Sequence, residues 1–452
     1  MHSYKAFFKN PNDPNDTSFE PHPTDYPFVE LEYPNDAACE RFMLLEPKDK
    51  DHYNPIMCLE DTLHTIVEYY LTPAQQSLLG SLPDHSLSSP KNRPPNSSHS
   101  ATSSISSLSA LSDLSDLSDL TSLSSESSLS SLSSLSALSE ESSPPQNLLR
   151  SLSRAIHLRD GPQFLSTMRH INNILRMIKY PYVPELSPCS PTINPLREIP
   201  KLWSTTGIPQ KVMTRIIEET YQRSIGPNIA KLRQYSAFSS EVYGELMPAF
   251  TSDIVNATGL RPDALFVDLG CGVGNVVLQA SLQTGCRSFG IEIMPGPSSL
   301  AKGQLEQFKK RCRMWGVEAG EVELMQGDMT DCRRVDELLS QADVVLVNNF
   351  VFREELNAAL RPKFLDLKEG AIVVSLKPFA PPTNQRLTER NIDDISAIFD
   401  VVRRPYHSGT VSWSSGSGHY YIHRVDRASY SDCRQQFERV HSRLGRRRSA
   451  KR

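Results

Sequence analysis

No stretch of this 452-residue chain approaches 18 consecutive apolar residues, and Met1-His2-Ser3-Tyr4-Lys5 lacks the apolar core of a secretory signal. A spanning helix needs about 20 such residues, so neither membrane insertion nor secretion is expected. Cysteine is sparse, eight residues with no C-x-x-C pair and no histidines at ligand spacing. That argues against a disulfide framework and a structural zinc site, fits a reducing compartment, and leaves no metal expected. No Ser-His-Asp pattern is present to suggest nucleophilic hydrolysis. Charge of one sign is also lacking overall: 48 Lys and Arg against 52 Asp and Glu give a net charge of -4. The balance hides an asymmetry. Residues 1–60 are acidic, whereas Gly445–Arg452 carries Arg446, Arg447, Arg448, Lys451 and Arg452. A terminal basic run is a solvated tail by default, and it also has the form of a nuclear address or a phosphate-binding arm.

Phe266-Val267-Asp268-Leu269-Gly270-Cys271-Gly272-Val273-Gly274-Asn275 is the most informative segment present. An apolar run ending in Asp, followed by glycines at 270, 272 and 274, predicts a buried parallel strand turning sharply into a helix. The dinucleotide fingerprint fails, because its third glycine is replaced by Asn275. A carboxylate at the turn suits a cation, so Asp268 points to S-adenosylmethionine, with its sulfonium and amino group, over a pyrophosphate. Cys271 is read as a small buried filler, since no histidine lies near it in sequence to activate it.

Around this turn the pattern is regular. Strands are predicted at Leu265–Leu269, Ser288–Glu292, Val322–Met325, Asp343–Val347 and Ala371–Ser375, alternating with helices. Thr410–Trp413 and His419–Val425 are joined by only Ser414–Gly418, which predicts an antiparallel hairpin at the sheet edge. The fold class expected is α/β: a seven-stranded, Rossmann-like S-adenosylmethionine-dependent methyltransferase fold, its parallel sheet ending in that hairpin. Ahead of it, Leu59, Leu63, Ile66, Val67 and Tyr70 mark one helix face, and Phe164, Met168, Ile171, Leu175 and Ile178 another. These make an N-terminal, mostly helical subdomain.

Between the two helical segments, serine dominates and leucine recurs every third residue from Leu108 to Leu120 and from Leu129 to Leu138. Three residues advance a helix by about 300°, so the leucine stripe spirals and no coiled-coil seam forms. The stretch reads as a disordered insert. The expected organisation is therefore an N-terminal segment at 1–85 packing with the catalytic unit, the insert at 86–146 and a helical subdomain at 147–240. A methyltransferase domain at 241–431 and a basic tail at 432–452 complete it.

In an open α/β sheet the ligand lies beyond the carboxyl ends of the strands. Glu292 ends the second strand, where a carboxylate accepts ribose hydroxyls. Asp328 follows the third, suited to the adenine amino group, with Met329 against the ring. Asn348-Asn349-Phe350 ends the fourth, resembling the Asn-Pro-Pro-Phe arrangement of methyltransferases that act on amines. A lysine acceptor has to shed a proton from a group with a pKa of about 10.4, and apolar walls disfavour its ammonium form. Phe350, Trp413 and Tyr420 are candidate walls.

Val242-Tyr243-Gly244-Glu245, the Asp268–Asn275 turn, Val347-Asn348-Asn349-Phe350, Ser375-Leu376-Lys377-Pro378-Phe379 and Val411-Ser412-Trp413 follow one another in this order. Together they resemble the disruptor of telomeric silencing family, the non-SET histone-lysine N-methyltransferases, in its fungal branch. The resemblance covers about Glu241 to Arg427 and, more weakly, Tyr53–Tyr70 and Asn147–Ala230. It implies that Tyr243 and Glu245 close over the methionine part of the cofactor, and that Asp268, Gly270, Gly272, Gly274, Asn275, Glu292, Asp328, Met329 and Asn348 contact it. It implies an acceptor-lysine channel of Phe350, Ser375, Trp413 and Tyr420, with Tyr243 and Asn348 beside it. The implied substrate is a lysine in the globular core of nucleosomal histone H3. The implied setting is the nucleus, with roles in chromatin silencing and the DNA-damage response. The implied partners are the nucleosome with its core histone and DNA, ubiquitinated histone, and the basic tail on DNA; a monomer is expected. Two departures stand out: Asn275 where animal members carry Gln, and Leu246 where they carry a hydroxyl residue. Methylation of another amine or an RNA base, and a catalytically dead chromatin-binding scaffold, remain alternatives.

Overall fold

The computed structural model describes residues 3–22, 24–49, 52–80, 147–181, 194–232, 244–380, 395–432, 434–436 and 438–439. The predicted insert, most of the basic tail and Tyr243 lie outside the described residues. Two compact units emerge, one from Met1–Glu219 with Arg311–Val317, the other from Thr220–Lys310 with Glu318–Arg452.

The first unit is built on two short antiparallel pairs. β1 (Tyr4–Ala6) pairs with β4 (Leu45–Pro47), and β2 (Phe28–Glu32) pairs with β3 (Cys39–Met43). Its helices are α1 (Pro55–Tyr70), α2 (Pro73–Leu79), α3 (Leu148–Leu158), α4 (Gly161–Lys179) and α5 (Ile199–Thr206), with most of α6 (Gln210–Ser224). The two stripes predicted from spacing are real: Leu59, Leu63, Ile66 and Val67 of α1 and Phe164, Met168 and Ile171 of α4 are fully buried. Asn54 caps α1, its side chain accepting from the Ile56 and Met57 amides, and Pro55 opens the first turn. Asn172 ties α4 to β2, donating to Glu30 O at 2.7 Å and accepting from the Glu32 amide at 3.0 Å.

The second unit carries α7 (Ile229–Leu232), α8 (Pro248–Thr258), β5 (Leu265–Leu269), α9 (Asn275–Thr284), β6 (Arg287–Glu292), α10 (Pro295–Trp315, to Lys310) and β7 (Val322–Gln326). It continues through α11 (Arg333–Leu339), β8 (Val344–Val347), α12 (Glu354–Leu360), β9 (Ile372–Ser375), β10 (Phe399–Tyr406) and β11 (Gly418–Val425). Seven strands form one sheet in the order β10-β11-β9-β8-β5-β6-β7. β5 to β9 run parallel, and β11 and β10 close the edge antiparallel. Both faces of the central strands are covered. Val267, Leu269, Val345 and Val347 pack into one core, and Phe266, Val344 and Leu346 into the other. Continuous apolar runs follow from that double burial.

The edge hairpin differs from expectation in one partner. β11 pairs with Phe399–Tyr406, not with Thr410–Trp413, which lies in the connecting loop and joins by single bridges at Val411. β10 escapes notice because it is an edge strand: Val402 to Pro405 are exposed, so neither alternation nor an apolar run survives, and Pro405 is tolerated where no further strand needs its amide. The short α11 was not anticipated either; seven residues leave little periodicity to read.

His423 on β11 locks the end of this sheet. Its ring is fully buried, Nε2 accepts from the Phe379 amide at 3.1 Å and Nδ1 lies 3.0 Å from Val373 O. Nδ1 therefore carries the proton and the ring is neutral, and burial pushes its pKa down to about 4. The folded state then binds fewer protons than the unfolded chain, so this contribution holds above pH about 6.5 and is lost as pH falls towards 4. The stability advantage of wild type over His423→Gln is expected to shrink by about 2 kcal/mol between pH 7 and 5. Urea unfolding of both proteins at the two pH values measures it; an unchanged difference refutes the neutral ring.

Candidate active site

Strand order reverses between β5 and β8, and a crevice opens there beyond their carboxyl ends. A cavity of about 260 Å³ occupies it, lined from four directions: the 244–246 segment, the glycine turn, the ends of β6 and β7, and the loop after β8. The glycine turn takes φ values of 91°, 57° and 86° at Gly270, Gly272 and Gly274, a left-handed path that side chains disfavour. The amides of Gly270 and Cys271 both donate to Ile291 O at 2.9 Å, which ties the turn to β6.

Electrostatics here are dominated by two acids. Asp268 is 3% exposed and its carboxyl accepts no hydrogen bond among the described residues. Burial first, and then the charge of Glu292, push its pKa up to about 8. Glu292 is held differently: Oε2 accepts from the Gly272 amide at 2.9 Å and Oε1 from the Met294 amide at 2.8 Å. Both its oxygens are thereby fixed. A buried carboxyl with no donor beside a second acid is a site in need of a cation.

Glu245, Asp268, Gly270, Gly272, Asn275, Glu292, Asp328, Met329 and Asn348 all line the cavity. Gly274 does not; it caps α9 against Leu324. Asp328 Oδ1 accepts from the Thr330 amide and hydroxyl at 2.8 and 2.7 Å, which leaves Oδ2 for a ligand. Asn348 Nδ2 donates to Gly244 O at 3.3 Å. Cys271 is half-buried, packed against the core on one side and lining the cavity on the other. Burial and the two acids hold its thiol well above the usual range, so it is a poor nucleophile.

Of the aromatic and hydroxyl residues named for the acceptor channel, the cavity gathers Phe350 and Trp413. Their rings stack at 5.4 Å with 27° between planes, and Phe350 is 43% exposed at the mouth. Gly244 makes this possible: a Cβ there would come within 2.7 Å of the Trp413 ring. Ser375 and Tyr420 are not in the lining. Ser375 is fully buried and donates to Lys377 O at 2.7 Å; Tyr420 is buried against Phe250 at 5.2 Å. Leu246 is buried, and its segment gets its hydrogen bonds from the 410–412 loop instead. Met247 N donates to Thr410 O, and Ser412 N to Glu245 O, both at 2.9 Å.

Two contributors went unassigned in the sequence. Phe352 packs beside Gly270 in the cavity wall, and its only signal is a second aromatic two residues after Phe350. Asn349 is fully buried, donating to Asn357 Oδ1 and Lys377 O at 3.1 and 3.0 Å. Its oxygen accepts from the amides of Leu376 and Lys377 at 3.0 and 2.8 Å, so it clamps the loops after β8 and β9 together.

This strand order, with its antiparallel edge pair and an acid-lined crevice at the switch point, defines the Rossmann-like class of S-adenosylmethionine-dependent methyltransferase folds. Residues 221–425 match the family described as histone methylation protein DOT1. It is similar to histone-lysine N-methyltransferases named H3 lysine-79 specific. That of Mycosarcoma maydis is 35% identical over 490 residues, covering 89% of this chain and 60% of the relative. That of Cryptococcus neoformans is 34% identical over 442 residues, covering 94% and 65%. The Yarrowia lipolytica protein is 43% identical over 224 residues, covering 50% and 45%. The chain thus spans less than two thirds of these relatives' own length.

Proposed function

We propose that this chain transfers methyl groups from S-adenosylmethionine to lysine-79 of histone H3 in the nucleosome, the residue for which its relatives are named. The observation that carries the reading is Asp268: a buried carboxyl with no hydrogen-bond donor among the described residues, beside Glu292, in a crevice whose other wall is aromatic.

The residues fit the donor part by part. Asp268 and Glu245 receive its ammonium group. Asn275 and the free amides at the start of α9 receive its carboxylate. Glu292 takes the ribose hydroxyls, and Asp328 Oδ2 the adenine amino group, with Met329 against the ring. When bound, the donor supplies an electrophilic methyl on a sulfonium. The protein's own work is then to align the amine, strip its water and hold it neutral. The stacked faces of Phe350 and Trp413 supply an apolar wall for that, and Asn348 offers a polar group beside it.

The same reading carries a nuclear location and a monomeric enzyme. Its partners are nucleosomal histone and DNA, with ubiquitinated histone and a DNA contact by the basic tail, and its settings are chromatin silencing and the DNA-damage response. Recombinant nucleosomes, free histone octamer and RNA, each incubated with the protein and labelled donor, test it. Mass spectrometry is expected to find methyl groups on one H3 peptide of the nucleosome, at lysine-79. Label on RNA alone, or donor binding with no transfer to any acceptor, overturns the histone assignment.

A further inference from the structure

Three contacts converge on the cavity from the last turn of α6 and from α10. Tyr221 donates its hydroxyl to Glu245 Oε1 at 3.1 Å. One turn further on, the Ser224 hydroxyl lies 3.2 Å from Gln304 Oε1. The Gln304 amide nitrogen donates in turn to Val273 O at 3.0 Å and to Asn275 Oδ1 at 2.7 Å. Ile225, just past the helix, packs against Val273 of the glycine turn. Gln304 is 1% exposed, so these partners account for its amide, and nothing about it is a surface accident.

The orientation of this chain is determined. Val273 O only accepts, so the nitrogen of Gln304 has to face it, and the oxygen of Gln304 then faces Ser224. Asn275 has to meet that nitrogen with its own oxygen. Its Nδ2 is thereby turned to the other side, as a donor at the start of α9 on the cavity wall. An Asn free to flip would present oxygen half the time, and an oxygen there repels a carboxylate.

We infer that Gln304 and Tyr221 are positioning residues for the methyl donor: Gln304 locks the Asn275 amide with its N–H groups towards the donor's carboxylate, and Tyr221 fixes the Glu245 carboxylate for its ammonium. The inference rests on the donor reading proposed above and adds what sets its specificity for an amino-acid end. A neutral ligand of the same shape gains nothing from either contact.

Calorimetric titration of the full chain with S-adenosylmethionine tests it, with thermal melting of each unliganded variant as a control for folding. Gln304→Glu replaces the donor by an acceptor, which turns the Asn275 amide over, and is expected to weaken binding about tenfold or more. Gln304→Met keeps the chain length without the amide and is expected to cost about threefold to tenfold, which covers the case of an unstable Gln304→Glu protein. Tyr221→Phe removes a single oxygen and is expected to cost about threefold. The decisive arm repeats Gln304→Met on an Asn275→Ala background. If Gln304 acts through Asn275, the second substitution then changes affinity less than about twofold. An equal loss on both backgrounds makes Gln304 merely structural and overturns the inference, as does unchanged affinity in the single variants. Wild-type protein that binds no donor refutes the donor reading itself, a separate outcome.

Discussion

Asp268→Asn is expected to give a protein that is more stable than wild type without ligand and that no longer binds the methyl donor. Both effects have one cause. Burial, followed by the charge of Glu292, raises the pKa of Asp268 to about 8. The folded state therefore binds more protons than the unfolded chain, whose carboxyl titrates near 4. Stability from this group is full below pH about 4 and falls as pH rises towards 8, a loss on the order of a few kcal/mol by neutrality. Asn is neutral throughout and escapes that loss. A cation reverses the balance, since an ammonium beside Asp268 favours the ionised form. Donor binding below pH 8 then releases a proton, and affinity rises with pH up to that value. Removing the charge costs the pairing, about 2–5 kcal/mol of binding. Thermal melting and calorimetry at pH 6 and 8 check each part. A variant that melts lower than wild type, or binds the donor as tightly, removes Asp268 from the role given to it here.

How far such a site is legible depends on the range of the interactions that build it. β5 is predicted to the residue, Leu265–Leu269, because a strand buried on both faces has to be apolar throughout and the turn after it has to be glycine. Acids at strand ends are legible as cavity lining for a similar reason, since topology alone puts the crevice there. β10 is not, because its outward side chains are exposed and Pro405 interrupts it. Ser375 and Tyr420 are named for the acceptor channel from motif order, which carries no information on side-chain neighbours. Their order in the chain resembles the family, yet one side chain bonds Lys377 O and the other packs on Phe250. Which way a side chain turns is decided by neighbours distant in sequence. Gln304 and Tyr221 are illegible for that reason as well: a glutamine within a helix has no local mark of a partner 29 residues away.

Glu219, at the end of the first unit, is the extreme case, and Glu219→Ala is expected to cost about 3–5 kcal/mol of stability. Its side chain is fully buried, and its oxygens accept from the Thr62 hydroxyl at 2.6 Å and Trp315 Nε1 at 3.1 Å, while the Tyr33 hydroxyl lies 3.2 Å from it and 2.8 Å from Glu40 Oε2. Two guanidinium groups flank it, Arg311 at 3.6 Å and Arg215 at 3.7 Å, with side chains only 7% and 5% exposed. Glu40 also pairs with Arg311, at 2.9 Å, and Glu218 with Arg215, at 3.3 Å. Such a cluster is no evidence of net stabilisation when compared with an apolar replacement of the whole. Truncating its centre is another matter. Alanine takes the named acceptor from the buried Thr62 and Trp315 donors and leaves two buried cations with one compensating charge fewer, and each stranded group retains its desolvation penalty. Glu219→Gln keeps one acceptor oxygen, enough for either Trp315 or Thr62, and loses the charge, so it is expected to fall between wild type and alanine. Urea unfolding of the three proteins measures the series. A loss below about 1 kcal/mol for alanine, the scale of an exposed ion pair, means that water or rearranged side chains satisfy the arginines and that Glu219 is not the centre of the network.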